Sequence, residues 1–93
     1  MQKLTDQEVQ QALGTLPGWS LEGGALVQQR TLKDFVTAMS FVNDVAQLAE
    51  AAGHHPDIDI RYNRVRLALV THDAGGITRN DAALAQKINN LHT

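Results

Sequence analysis

Glu50-Ala51-Ala52-Gly53-His54-His55-Pro56-Asp57-Ile58-Asp59-Ile60-Arg61-Tyr62 holds both ends of the decision about fold. Its first part closes a helix. Gly53 suits the left-handed position just past a helix end, and Pro56 pushes His55 into an extended conformation. From Asp57 the pattern switches to alternation, with Ile58, Ile60 and Tyr62 on one face and Asp57, Asp59 and Arg61 on the other. That reads as a strand.

Working outward toward the C-terminus, Asn63-Arg64 is a two-residue turn, and Val65, Leu67, Leu69 and Thr71 alternate along a second strand. With Tyr62 opposite Val65, both apolar rows fall on one side of the hairpin. Gly75-Gly76 breaks the pattern. Thr78-Arg79-Asn80-Asp81 then has the form of a capping box opening a last helix, which carries Ala82, Ala83, Leu84, Ile88 and Leu91.

Toward the N-terminus, Lys33 or Asp34 opens the longest helix. Phe35, Ala38, Met39, Val42, Val45, Ala46 and Ala49 make one apolar face at spacings of three and four. Before it, residues 19–22 and 25–32 read as strands about a Gly23-Gly24 turn. Thr5-Asp6-Gln7-Glu8 is a capping box, followed by Val9, Ala12, Leu13 and Leu16 at helical spacing, with Pro17-Gly18 as the stop. The order α-β-β-α-β-β-α with tight turns predicts an α+β fold, a four-stranded antiparallel sheet with three helices on one face.

The chain has 93 residues and no cysteine, which predicts one domain spanning 1–93 and excludes disulfides and thiolate sites. A core this small and unstapled favours self-association, and an open sheet leaves edges to protect. The net charge of −2 and the lack of a basic run argue against nucleic acid and anionic membranes. No apolar run approaches the ~18 residues of a membrane span or the pattern of a signal peptide, so a cytoplasmic protein is expected.

Three of the four histidines, His54, His55 and His72, stand beside helix stops and turns. Glu50 and His54 are four apart, so on a helix they share a face, and the carboxylate would orient the imidazole. The plain alternative is a surface pair at a helix end. Three imidazoles suit a metal or general acid–base work, but no metal-ligand spacing such as HExxH is present, and three unrelated loop histidines would give the same spacing. His92 reads as a solvated tail residue. Trp19 and Tyr62 read as packing, and Asp73 as a turn residue. Gly75-Gly76 before a helix is explained by the turn without an anion site.

Taken together, Glu50, His54-His55-Pro56, Tyr62, His72 and Asp81 resemble the signature of the pterin-4a-carbinolamine dehydratases. Gly18-Trp19, Arg30, Phe35, Phe41, Tyr62-Asn63 with Val65, and Thr71-His72-Asp73-Ala74-Gly75-Gly76-Ile77-Thr78 extend the likeness over nearly the whole chain. The segment Thr31-Leu32-Lys33-Asp34-Phe35 is poorer in aromatics than is usual in that family.

The resemblance implies a dehydratase that uses no metal or other cofactor. Its substrate would be the 4a-hydroxytetrahydropterin left by an aromatic amino acid hydroxylase, and its products quinonoid dihydropterin and water. It implies His54, His55 and His72 as the pterin-site imidazoles, with Glu50 and Asp81 as supporting carboxylates. Asp81 equally suits a helix cap. A homodimer or homotetramer is implied as well. Some members of that family serve as partners of a transcription factor. An interaction module, or a pterin-binding accessory protein without turnover, therefore competes with the enzyme. An exposed apolar patch on the long helix would favour the module.

Overall fold

The structure is a computed structural model that describes residues 2–91; His92 lies outside them. The elements are α1 (Asp6–Leu13), β1 (Trp19–Glu22), β2 (Ala25–Thr31), α2 (Phe35–Ala52), β3 (Asp57–Arg61), β4 (Arg64–Leu69), a 3-10 turn (His72–Ala74) and α3 (Arg79–Asn89). The four strands form one antiparallel sheet in the order β1-β2-β4-β3. One face of it, carrying Leu26, Val65, Leu67 and Leu69, packs with Val9 of α1, Phe41 and Val45 of α2, and Leu84 and Ile88 of α3. The α+β expectation and the element order therefore hold.

Local chemistry sets most boundaries. Thr5 caps α1 through the reciprocal bonds of a capping box with Glu8, Glu8 N–H to the Thr5 hydroxyl at 3.2 Å and Thr5 N–H to the Glu8 carboxylate at 2.9 Å. The helix stops at Leu13, short of the expected Pro17-Gly18. Gly14 has poor helix propensity, and Thr15 closes the turn by giving both its N–H and its hydroxyl to the Ala12 carbonyl, at 3.0 and 2.8 Å. Leu16 then turns back into the core.

Asp34 is the N-cap of α2; its carboxylate accepts the Thr37 N–H at 2.8 Å. The buried stripe of α2 is Ala38, Phe41, Val42, Val45 and Ala49. Phe35 and Ala46, expected on that face, are exposed, and Phe41 is fully buried in their stead. More than half of α2 is apolar, so several stripes fit a 3.6-residue period equally well, and only packing on β4 and α3 selects one.

The β3–β4 register also differs from expectation. Ile60 pairs with Val65 and Arg61 with Arg64, so the turn residues are Tyr62-Asn63. The slip is two residues, which preserves face parity; Ile58 and Ile60 still share the side of Val65 and Leu67. Tyr62 has φ +55, a left-handed conformation that costs a side-chain-bearing residue roughly 1–2 kcal/mol. Tertiary bonds hold it there: Asn63 donates its Nδ2 to the Leu32 carbonyl at 2.9 Å, and Leu32 N–H returns to the Asn63 carbonyl at 2.8 Å. β3 is an edge strand, and Ile58 and Ile60 remain exposed on it.

Candidate active site

The far end of the β3–β4 hairpin from Tyr62 meets the end of α2 and the start of α3. Gly53, at φ +62, ends α2 in the left-handed region, and its N–H and that of His54 bond back to the carbonyls of Glu50 and Ala49. Pro56 then leads into β3. On the other side β4 ends at Leu69, so Thr71 is not a strand residue. It makes an isolated bridge to Gly76 that ties off the turn carrying His72. Gly75, at φ +74, caps that turn, and Gly76 packs against the methylenes of Lys3, which would have to shift to admit a Cβ. His72 is exposed, and this turn carries it out of the buried row.

These segments surround one open cleft of about 300 Å³, lined by Gly53, His54, His55, Val70, Thr71, His72 and Asp73. The three imidazoles thus face a common space. Among the described residues, no group of three or more His, Asp or Glu side chains is gathered to hold a metal ion.

The carboxylates are distributed differently from the expected pairing. His54 Nε2 meets Asp81 Oδ1, not Glu50. Glu50 Oε2 instead lies 2.9 Å from His55 Nε2. Helical i, i+4 geometry fails because the helix ends at Ala52; the left-handed Gly53 turns His54 away from the Glu50 face and toward α3.

Asp81 is fully buried, caps α3 and also contacts His54. Its Oδ2 accepts the Thr78 N–H at 2.8 Å, completing the capping box of α3, and also accepts the Thr71 hydroxyl at 2.8 Å. Its Oδ1 serves His54. A carboxylate can only accept, so His54 donates from Nε2. Its neutral form then carries the free lone pair on Nδ1, an oriented base of the kind in which a carboxylate fixes an imidazole tautomer.

Thr71 and Thr78 were missed as site residues. Thr78 was legible as a cap, but nothing local signals that the cap's third residue reaches an imidazole 27 positions earlier. Thr71 looked like one more member of an alternating strand.

A family model described as pterin 4 alpha carbinolamine dehydratase matches residues 2–91. The chain belongs to that family. Two relatives provisionally named pterin-4-alpha-carbinolamine dehydratase, from Acidobacterium capsulatum and Chloroflexus aurantiacus, are each 56% identical over 91 residues. The match covers 98% of this chain in both cases, and 99% and 98% of the respective relative.

Among solved structures, a transcriptional coactivator/pterin dehydratase from Brucella melitensis superposes with a TM-score of 0.90 at 38% identity, covering 94% of this chain and 95% of that one. A pterin dehydratase-like protein identified as a RuBisCO assembly factor of the alpha-carboxysome shares the fold, with a TM-score of 0.65 at 21% identity over 77% of this chain and 86% of its own. The dehydratase fold therefore occurs in proteins described by quite different uses, and activity has to be argued from the site.

Proposed function

We propose that this protein is a dehydratase acting on 4a-hydroxytetrahydropterin, using its imidazoles as general acid and base. The observation that carries the reading is the cleft. His54, His55 and His72 line one space in a member of the dehydratase family, and His54 is held there by a buried carboxylate.

The reaction breaks the C4a–O bond and forms a double bond between C4a and the neighbouring ring nitrogen. The hydroxyl leaves as water once it receives a proton, and the nitrogen gives up its own proton, so one acid and one base balance the step. Imidazoles titrate near neutral pH and suit both tasks, each contributing roughly 10²–10⁴-fold. His54, with its free nitrogen presented by Asp81, is the best-oriented base. His55 and His72 supply the remaining proton donor and hold the pterin. Glu50 supports His55, and Asp81 supports His54. The chemistry itself calls only for proton donors and acceptors.

In this reading the whole chain acts as one domain of a cytoplasmic homodimer or homotetramer. It would return pterin cofactor spent by an aromatic amino acid hydroxylase, as a step of tetrahydrobiopterin recycling. No described helix is long and apolar enough to cross a membrane. The exposed Ile58 and Ile60 on the edge strand β3 support self-association. Sedimentation showing only monomer at micromolar concentration counts against it.

The direct test generates 4a-hydroxytetrahydropterin enzymatically and follows its decay by ultraviolet absorbance. Acceleration by the pure protein supports the proposal. No acceleration, beside an active relative as control, removes it.

A specific observation favours a second reading, an interaction module. Phe35 and Val36 open α2 with 48% and 76% of their surface exposed, an apolar patch that the core does not use. Turnover separates the two readings, because a protein that serves only as an interaction module would not accelerate the dehydration.

A further inference from the structure

The geometry points to Thr71 as a positioning residue that sets His54 and His72 relative to one another. This rests on the dehydratase reading of the cleft for its kinetic consequences, though not for its structural ones. The hydrogen bonds around Asp81 have one consistent direction. Asp81 Oδ2 cannot donate, so the Thr71 hydroxyl proton points to it across 2.8 Å. That hydroxyl has no second proton, so Thr78 Oγ1, also 2.8 Å away, must donate to Thr71. Thr78 Oγ1 in turn accepts the Asn80 N–H at 3.3 Å. The chain runs from the first turn of α3 through Thr78 and Thr71 to Asp81, whose other oxygen takes the His54 Nε2–H.

The backbone of the same residue holds the other half of the cleft. Thr71 N–H donates to the Gly76 carbonyl at 3.0 Å, and the Thr71 carbonyl accepts from Ala74 N–H at 3.1 Å and Gly76 N–H at 3.3 Å. These bonds close the turn that carries His72. Thr71 thus reaches the His54 carboxylate with its side chain and the His72 turn with its main chain. Loss of the hydroxyl leaves Asp81 Oδ2 with the Thr78 N–H as its donor and loosens the hold on the carboxylate, while the turn bonds survive.

Thr71→Val keeps the branched shape and removes the hydroxyl; Thr71→Ser keeps the hydroxyl. In steady-state assays with 4a-hydroxytetrahydropterin, Thr71→Val lowers kcat by about tenfold to a hundredfold, the scale of a small misplacement of a reacting group. KM stays within about threefold, and Thr71→Ser recovers most of kcat. Imidazole nitrogen NMR of the same proteins reports the His54 tautomer without turnover. The parent and Thr71→Ser hold the proton on Nε2, whereas Thr71→Val shows a mixed tautomer population.

Retention of both kcat and the Nε2–H tautomer in Thr71→Val overturns the inference. So does a kcat loss that only follows the folded fraction and that Thr71→Ser does not recover. Should Thr71→Val fail to fold, the parent still decides. A slowly exchanging Thr71 hydroxyl proton close to the Asp81–His54 pair is expected, and its absence rejects the role. If the parent has no dehydratase activity, the dehydratase reading falls, while the NMR result still stands or fails for Thr71.

Discussion

His54 and His55 are neighbours in the chain, and each meets a carboxylate, yet the two pairs are physically unlike. The side chains of His54 and Asp81 are 14% and 0% exposed; those of His55 and Glu50 are 66% and 81% exposed. The first carboxylate is fixed by two further donors, one from the cap of its own helix and one from the turn after β4. The second belongs to a flexible side chain in water, where such a pair is worth under about 1 kcal/mol. Burial and the number of independent constraints distinguish a pre-set imidazole from one that samples many positions.

The strongest test of that contrast is His54→Ala, which should lower kcat by roughly 10²–10⁴-fold. Because the cleft is open, water can reach the vacated Asp81 oxygen. Unfolding in urea should therefore stay cooperative. A rate within error of the parent, for this variant and for His72→Ala, takes both residues out of the mechanism.

Asp81→Asn should come next. It replaces a double acceptor with a group that must present N–H to one of its partners, and it should cost about 1–3 kcal/mol of stability. The expected fall in kcat is about tenfold to a hundredfold, read by comparing kinetics with the urea midpoint.

The two capping boxes extend the comparison. Thr78→Ala breaks a buried cap joined to the site and should cost about 2 kcal/mol, while Thr5→Ala breaks an exposed one and should cost about 0.5–1 kcal/mol. Equal effects on activity would show that α3 is merely a scaffold.

The exposed cap also predicts a pH dependence. The Thr5 backbone N–H, then its hydroxyl, holds the Glu8 carboxyl below its ordinary value. Hydrogen bonds from the Thr37 hydroxyl and then its N–H do the same for Asp34. A depressed folded value means that the stabilisation is fully present above the unfolded values of about 4 and is lost as pH falls through the lowered ones. Urea midpoints should fall in that acid window, and Thr5→Ala, which removes the hydroxyl but keeps the backbone N–H, should reduce the Glu8 part of the decline without abolishing it.

The smallest effect expected is that of Glu50→Ala, under about 0.5 kcal/mol of stability and under about threefold in rate. A loss as large as that of Asp81→Asn breaks the distinction between the two pairs.

The parts of the fold that were legible share a cause. Thr5 with Glu8, Thr78 with Asp81, Gly53 and the alternation of β3 each act within a few residues, so sequence spacing carries the physics. Where several arrangements satisfy the same spacing, legibility ended. The apolar stripe of α2 was mistaken at Phe35, Ala46 and Phe41 because most of that helix is apolar. The β3–β4 register is offset by two residues, and the turn by one, because either register keeps Ile58 and Ile60 on the core side. α1 was drawn too long because Leu16 is buried and fits the helical period, although it lies beyond the helix.

By itself the sequence determined the elements, their order and the α+β class, since caps, stops and alternation are short-range; the family resemblance singled out the three imidazoles. Only the tertiary structure decided which carboxylate serves which imidazole. The i, i+4 pairing of Glu50 with His54 holds only inside a helix, and α2 ends at Ala52, two residues short of His54, with the left-handed Gly53 between them. Past that point His54 swings toward a helix 27 residues away, where the capping residue Asp81 is already held by Thr71 and Thr78.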